Sequence, residues 1–277
     1  MSVATISEPE AFGPSQFEPS QAEPSHAKEV ARPAEIVPAR VTLSIRPSRV
    51  WIVLSLIVIG LVIASTAGRV LLTVIDGDTY RGVREIAYRL DLDRENTLPA
   101  WFSSLLLFTC AAALAVVWRI RVKCRGEFVW RWAVLAAAFL YLSLDESASL
   151  HEILIEPLRR RMGWGGILYF SWVVPGAVIV LGFGLSYLQF WWRLPRGIRG
   201  RVCTAAVLYV GGAMGMELVG GALADAYGLH AMSYTIVMTI EESLEMVGLI
   251  VFLSALLELI RREAPSLSLQ WLPARGV

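Results

Sequence analysis

From Met232 to Ile260 the chain is an apolar run long enough to cross a bilayer, yet it carries Glu241, Glu242 and Glu245 in its first half. No other feature of the sequence constrains the fold as much. About 20 predominantly apolar residues in a helix span the hydrocarbon core. A charge near the middle of that core costs roughly 3 kcal/mol on insertion scales. Three carboxylates at one level therefore need something to offset them: a partner charge, a metal, water or a proton. Two further apolar segments carry the same anomaly, one at Asp145 and Glu146, the other at Glu217.

Six apolar segments can be marked, at about 50–68, 98–118, 128–150, 167–192, 202–223 and 232–260. A lipid-exposed backbone must satisfy its own hydrogen bonds, so segments of this length are expected as helices. The expected fold class is all-α: a polytopic membrane helix bundle of about six transmembrane helices with a disordered N-terminal tail. Composition agrees, because 56% of the 277 residues are hydrophobic, against about 45–50% in soluble domains. Pro175 is expected to kink the fourth span.

Residues 1–45 are rich in Pro, Glu, Ser and Ala and read as a disordered cytoplasmic tail. No apolar signal region lies near Met1. Residues 46–262 form the membrane domain, and 263–277 are expected as a short cytoplasmic tail. In the first outer loop Tyr80, Val83, Ile86, Ala87 and Leu90 recur at helical spacing, which predicts an amphipathic helix over about 78–90 lying on the membrane surface, with Asp78 as its N-cap. The acidic run Asp91, Asp93, Glu95 then leads into span two, as one wall of an outer mouth or as an ordinary helix start.

Loop charge predicts the orientation. One set of loops and tails flanking the spans holds fifteen Lys and Arg, the other eight, so the positive-inside rule places both termini in the cytoplasm. The expected location is a cell membrane of the bacterial inner-membrane type. The triplet Arg159, Arg160, Arg161 is the exception on the outer side. The net charge is only +1 and no basic face is present, so no nucleic-acid partner is expected. Cys110, Cys124 and Cys203 lack metal or redox spacing and read as free thiols.

Depth brings the carboxylates together. Glu217 follows Arg201 by sixteen residues and Glu245 precedes Arg261 by sixteen, about 24 Å along a helix in each case. Asp145 follows Arg131 and Arg125 by about 21–30 Å of helix. Three segments thus place acids at one level, in the outer third. Glu241 and Glu242 both share a helix side with Glu245, and the sequence leaves open which of the two faces the cluster. Asp145, Ser149, Glu152 and Glu156 follow one polar stripe if the third span continues straight. On span five the glycines around Glu217 allow close helix approach.

So many packed carboxylates cannot all be ionised without compensation, so protons are retained or a cation is bound. Oxygen-rich sites suit hard divalent ions, and imidazole widens the choice. Asp145, Glu146, His151, Glu152, Glu217, Glu241, Glu242 and Glu245 are therefore the candidate ligands of a divalent metal ion. No catalytic residue stands out. His151-Glu152 lacks the second His of a zinc-protease helix, the paired Glu-x-x-His of a di-iron bundle is missing, and there is no P-loop, dinucleotide turn or Gly-x-Ser-x-Gly elbow.

Simpler roles compete. Glu156 with Arg159 and Arg160, and Glu258 with Arg261 and Arg262, have the spacing of surface ion pairs. The arginine triplet could fold back over the acids as a salt-bridged lid. The acids could also form a structural network with Ser243, Thr239 and Tyr141. Three functions remain open at this level. The first is a cation- or proton-binding, transport-related protein. The second is an intramembrane metal-dependent enzyme acting on a lipid or other membrane-borne substrate. The third is a structural or accessory membrane subunit.

Overall fold

The computed structural model describes residues 40–42, 47–75, 80–264 and 268–270. The expected tail over 1–45 lies outside them except for Arg40–Thr42, as does the Asp78 cap. Among the described residues the elements run β1 (Arg40–Thr42), α1 (Pro47–Val74), α2 (Arg81–Arg89), α3 (Leu98–Lys123), α4 (Val129–Ala148), α5 (Ile155–Met162), α6 (Val173–Arg193), α7 (Arg196–Val210), α8 (Glu217–Tyr227), α9 (Met232–Glu263) and β2 (Ser268–Gln270). The two short strands pair with each other. Residues 41–269 form one unit, and its description follows.

Five helical segments are long and apolar enough to cross a membrane: Ser48–Val74, Leu98–Lys123, Val173–Arg193, Arg196–Tyr227 and Met232–Glu263. A sixth span results if Val129–Ala148 and His151–Met162 count together, although the chain bends by 72° between them. Apart from the short strand pair, the architecture is helical, that of a multi-pass membrane protein. Large apolar side chains on the outside of α1 and α6, such as Leu56, Ile63, Ile179 and Leu185, are exposed to the surroundings. In a bilayer they face lipid rather than water.

The core is the seam between α3 and α9. Leu107, Cys110 and Leu114 of α3 are fully buried, as are Met246, Leu249 and Leu256 of α9 within 2%. The Cys110 thiol donates to the Leu249 carbonyl at 3.7 Å, and Cys110, Cys124 and Cys203 are all free. α4 packs on α3 through two serines: Ser104 Oγ donates to the Ser143 carbonyl at 2.8 Å, and Ser143 Oγ donates to the Ser104 carbonyl at 2.9 Å. Such reciprocal bonds suit helices that meet without water. α4 also meets α9 where Phe139 stacks on Phe252 at 4.8 Å.

Local sequence explains the helix ends. Thr97 caps α3, its hydroxyl accepting from Ala100 N at 3.4 Å, and Pro99 sits in the first turn where its missing N–H costs nothing. Pro175 occupies the same kind of place. α6 begins at Val173 rather than near 167, so Pro175 falls in its first turn and does not kink a span. The polar stripe of the third span is also interrupted. α4 stops at Ala148 and Ser149 adopts a left-handed φ of 50°, which turns Glu152 and Glu156 off the line of Asp145. Glu156 instead holds Arg159 at 2.8 Å and Arg160 at 2.5 Å. Arg159 and Arg160 therefore pair locally instead of folding over the acids. Glu258 likewise pairs with Arg261 and Arg262, at 2.9 Å and 2.8 Å.

Between α7 and α8 the backbone widens into a π-helical segment, Gly211–Met216. Such segments are often found at functional sites. Here α7 and α9 are in backbone contact. A methyl group on Gly248 would lie 2.8 Å from Tyr209 N, and one on Gly212 would lie 2.9 Å from the Glu241 carbonyl oxygen. Glycine is required at both points by proximity alone. The π segment then delivers Glu217 to α9.

Candidate functional site

Glu217, Glu241 and Glu245 are each more than nine-tenths buried. They come from α8 and α9 and meet where those helices touch. The carboxyl groups of Glu217 and Glu241 lie within hydrogen-bonding reach of each other. Two carboxylates offer only acceptors, so this contact needs a proton on one of them or a cation between them. Trp172 donates its indole Nε1–H to Glu217 Oε1 at 2.8 Å. Glu241 Oε2 is buried and receives no hydrogen bond from the described residues.

Glu245 faces a second group of acids. Its electrostatic neighbours are Glu146 of α4, Glu217, and Glu95 from the loop before α3. Glu242 has Glu245, Glu146 and Glu95 around it. Glu241 and Glu242 thus both take part: Glu241 meets Glu217, while Glu242 turns toward α4 and the loop. Helix rotation separates adjacent residues by about 100°, so a single α9 serves both sides.

Asp145 and His151 form the approach from the helix ends. Asp145 Oδ1 accepts the His151 backbone N–H at 2.9 Å, and Asp145 Oδ2 lies 2.9 Å from His151 Nδ1. The bend at Ser149 makes this possible, because it folds His151 back onto the turn that precedes it. The His151 ring then packs against Trp172 at 4.7 Å between centroids. Asp145, His151, Trp172, Glu217 and Glu241 therefore form a continuous line of contacts. Glu152 is exposed beside this line, and His230 is exposed in the loop before α9.

A network that sequence reasoning missed closes the same end of the bundle. Arg69 of α1 donates through Nε to Asp91 Oδ1 at 2.8 Å, through a terminal nitrogen to Asp93 Oδ2 at 3.0 Å, and through the other to Thr235 Oγ1 at 2.8 Å. Tyr234 donates to Asp93 Oδ1 at 3.2 Å, and Ser65 Oγ accepts the Leu92 N–H at 3.1 Å. Arg69 looked like a loop charge because the first span was expected to end near Gly68. Helix α1 continues for another turn and a half and carries it into contact with α9. Burial pushes the Asp93 carboxyl above its ordinary range, with Arg69 pulling the other way. Burial also raises Glu95, against an opposing hydrogen bond from Ser149. Nothing in the spacing of Trp172 announces a role beside Glu217.

Among the described residues, no three His, Cys, Asp or Glu side chains are placed so as to hold a metal ion. The acids converge, but in pairs and rows. Carboxyl groups this close can share a proton or hold a cation between them.

Fold and site together define a multi-pass helical membrane protein with a buried carboxyl cluster near one end of its bundle. The chain belongs to the family described as a domain of unknown function, DUF8692, whose family model matches residues 52–259. That range takes in the first span through nearly all of α9 and every acid of the cluster. No curated protein and no solved structure matches the chain.

Proposed function

We propose that the protein binds protons, or a small cation in their place, at the Glu217–Glu241 pair and the neighbouring acids, in a transport-related role. The single observation that carries this reading is the approach of two buried carboxyl groups, Glu217 and Glu241, with the neutral Trp172 indole as donor to Glu217. A site of this kind inside a membrane domain marks an ion or proton path by default. His151, tied to Asp145 and packed on Trp172, is the entry group from the loop end. We further infer a bacterial-type inner membrane with both termini cytoplasmic, so that the cluster opens to the outer side.

A hard divalent ion would find suitable oxygens in the same residues. Those oxygens would first have to re-orient, which is why protons are preferred. The same rearrangement would be the first requirement of a metal-dependent enzyme. A purely structural network would leave Glu217→Gln with a stability defect and no other.

The test uses purified full-length protein, wild type beside Glu217→Gln and Glu241→Gln. Proton uptake is followed with a pH-sensitive dye in proteoliposomes under an imposed potential, and metal content is measured on the same samples. Uptake by the wild type, lost in both folded variants and without bound metal, supports the proton reading. Stoichiometric metal lost in both variants would replace it with the metal reading. No flux and no metal from any sample would leave the structural reading standing.

A further inference from the structure

We infer a binding site for a zwitterionic membrane lipid, a phosphate with an adjacent ammonium, in the pocket between α5 and the ends of α6 and α8. The pocket has a volume of about 620 Å³ and is lined by Glu156, Arg159, Arg160, Trp164, Tyr169 and Asp225, with Gly163 at its edge. It is separate from the carboxyl cluster, and the inference does not rest on proton binding.

The chemistry of the lining is two-sided. Glu156 accepts from Arg159 and from Arg160 at once, at 2.8 Å and 2.5 Å. One carboxylate therefore orients two guanidinium groups. A guanidinium has five N–H donors, so each keeps donors that Glu156 does not use. Arg159 is further fixed over the Tyr169 ring at 4.5 Å. Two guanidinium groups held side by side are suited to a phosphate. Across the pocket, Asp225 Oδ2 accepts the Gly166 N–H at 3.0 Å. That bond fixes the carboxylate in place and uses only one of its two oxygens. A placed carboxylate beside Trp164 and Tyr169 is suited to an ammonium.

Position selects a lipid over a free phosphate. The pocket lies where α4 has just ended, α6 is about to begin and α8 finishes, which is headgroup depth for a bundle of this kind. Trp and Tyr prefer that level. Around the pocket Ile153, Leu154, Met162 and Ile167 are exposed. Charged groups that face a headgroup, flanked by apolar side chains at the level of the upper acyl chain, match a molecule with both parts. Arg159 and Arg160, on the side with the fewer basic loop residues, also gain a purpose here.

The experiment is native mass spectrometry of the full-length protein released from nanodiscs that contain equal parts phosphatidylethanolamine and phosphatidylglycerol. The wild type is compared with Asp225→Asn and Arg160→Gln. Asp225→Asn keeps an acceptor for Gly166 and removes the charge. The expected result is retained phosphatidylethanolamine on the wild type, a loss of its preference over phosphatidylglycerol by tenfold or more in Asp225→Asn, and loss of both lipids in Arg160→Gln. Circular dichroism establishes that the variants are folded. Equal retention in all three proteins, or no preference in the wild type, would overturn the inference. Soluble phosphoethanolamine that competes as well as the lipid would overturn the membrane source.

Discussion

Trp172 donates its indole N–H to Glu217 at 2.8 Å while its ring lies against His151 at 4.7 Å, so one side chain joins His151 to the buried carboxyl pair. A hydrogen bond to a charged or proton-sharing acceptor is worth about 1.5–3 kcal/mol. Trp172→Phe keeps an aromatic ring and removes that donor. The expected outcome is a loss of about 1–2 kcal/mol in denaturant unfolding of the reconstituted protein. Combined with Glu217→Leu, which removes the acceptor, the two losses should fall short of additive, because both act on one contact. Full additivity would mean that the bond contributes nothing.

Close approach of α7 and α9 sets the place of the cluster. A methyl group on Gly212 would meet the Glu241 carbonyl at 2.9 Å and Glu245 Cγ at 3.0 Å. Gly212→Ala is therefore expected to destabilise by about 1–3 kcal/mol, the usual cost of overpacking, and to weaken proton uptake with it. Gly182 and Gly184 on α6 have nothing within 4 Å of such a methyl. Alanine at either should be neutral or stabilising by up to about 1 kcal/mol. Thermal unfolding of the three variants in one lipid separates these outcomes.

Much of this geometry could be read in the residues, and the parts that could not share a cause. The long apolar run of α9 and the meeting of Glu217, Glu241 and Glu245 follow from helix rise and composition alone, because an apolar span makes any charge in it conspicuous. The amphipathic segment after the first span was equally legible, and it forms as α2. The bend at Ser149 was not. Asp145, Ser149, Glu152 and Glu156 fit a straight helix in spacing, and the turn depends on Asp145 capturing the His151 backbone. Pro175 looked internal because the start of its helix was placed six residues early. Arg69 looked like a loop charge because its partners, Asp91, Asp93 and Thr235, are remote in sequence. Periodicity reports on which face is apolar, and says little about contacts made across a bundle.

Glu95 gives a pH dependence with a definite sign. Burial holds its carboxyl above the ordinary value of 4.5, partly opposed by Ser149. Its folded-state pKa lies above the unfolded one, so its contribution favours folding below the unfolded value and is lost as pH rises through the folded value. Glu95→Gln removes the charge at every pH. The variant should match the wild type at acid pH and become the more stable of the two as pH rises above 4.5. A denaturant series across pH in nanodiscs checks this. A variant that is less stable at neutral pH would show that the charged form of Glu95 is the one the fold favours.

Asp145 holds His151 through two contacts at 2.9 Å, one to the backbone and one to the ring. Asp145→Ala should free the turn after α4 and cost about 1–2 kcal/mol. Asp145→Asn retains one acceptor for the backbone N–H and should keep most of that stability. It no longer presents a carboxylate to the ring, so proton uptake should fall in Asp145→Asn more than its stability does. Equal, parallel losses in both properties would assign Asp145 to the turn alone.

Orientation can be tested with thiols the chain already carries. Cys124 is exposed at the end of α3, beside the arginines of the 119–131 stretch, whereas Cys110 is buried. His230 is exposed at the opposite end, before α9. In a Cys203→Ser background, a membrane-impermeant maleimide applied to intact spheroplasts should label a His230→Cys variant and leave Cys124 untouched until the membrane is opened. The reverse pattern would place the arginine-rich end outside. The direction matters for the site as well as the topology. His230 lies at the same end of the bundle as Glu95, Asp145 and His151, so under the proposed function the side that labels it is the side from which the carboxyl cluster would be reached. A proton entering there would move with the membrane potential in the expected orientation and against it in the other.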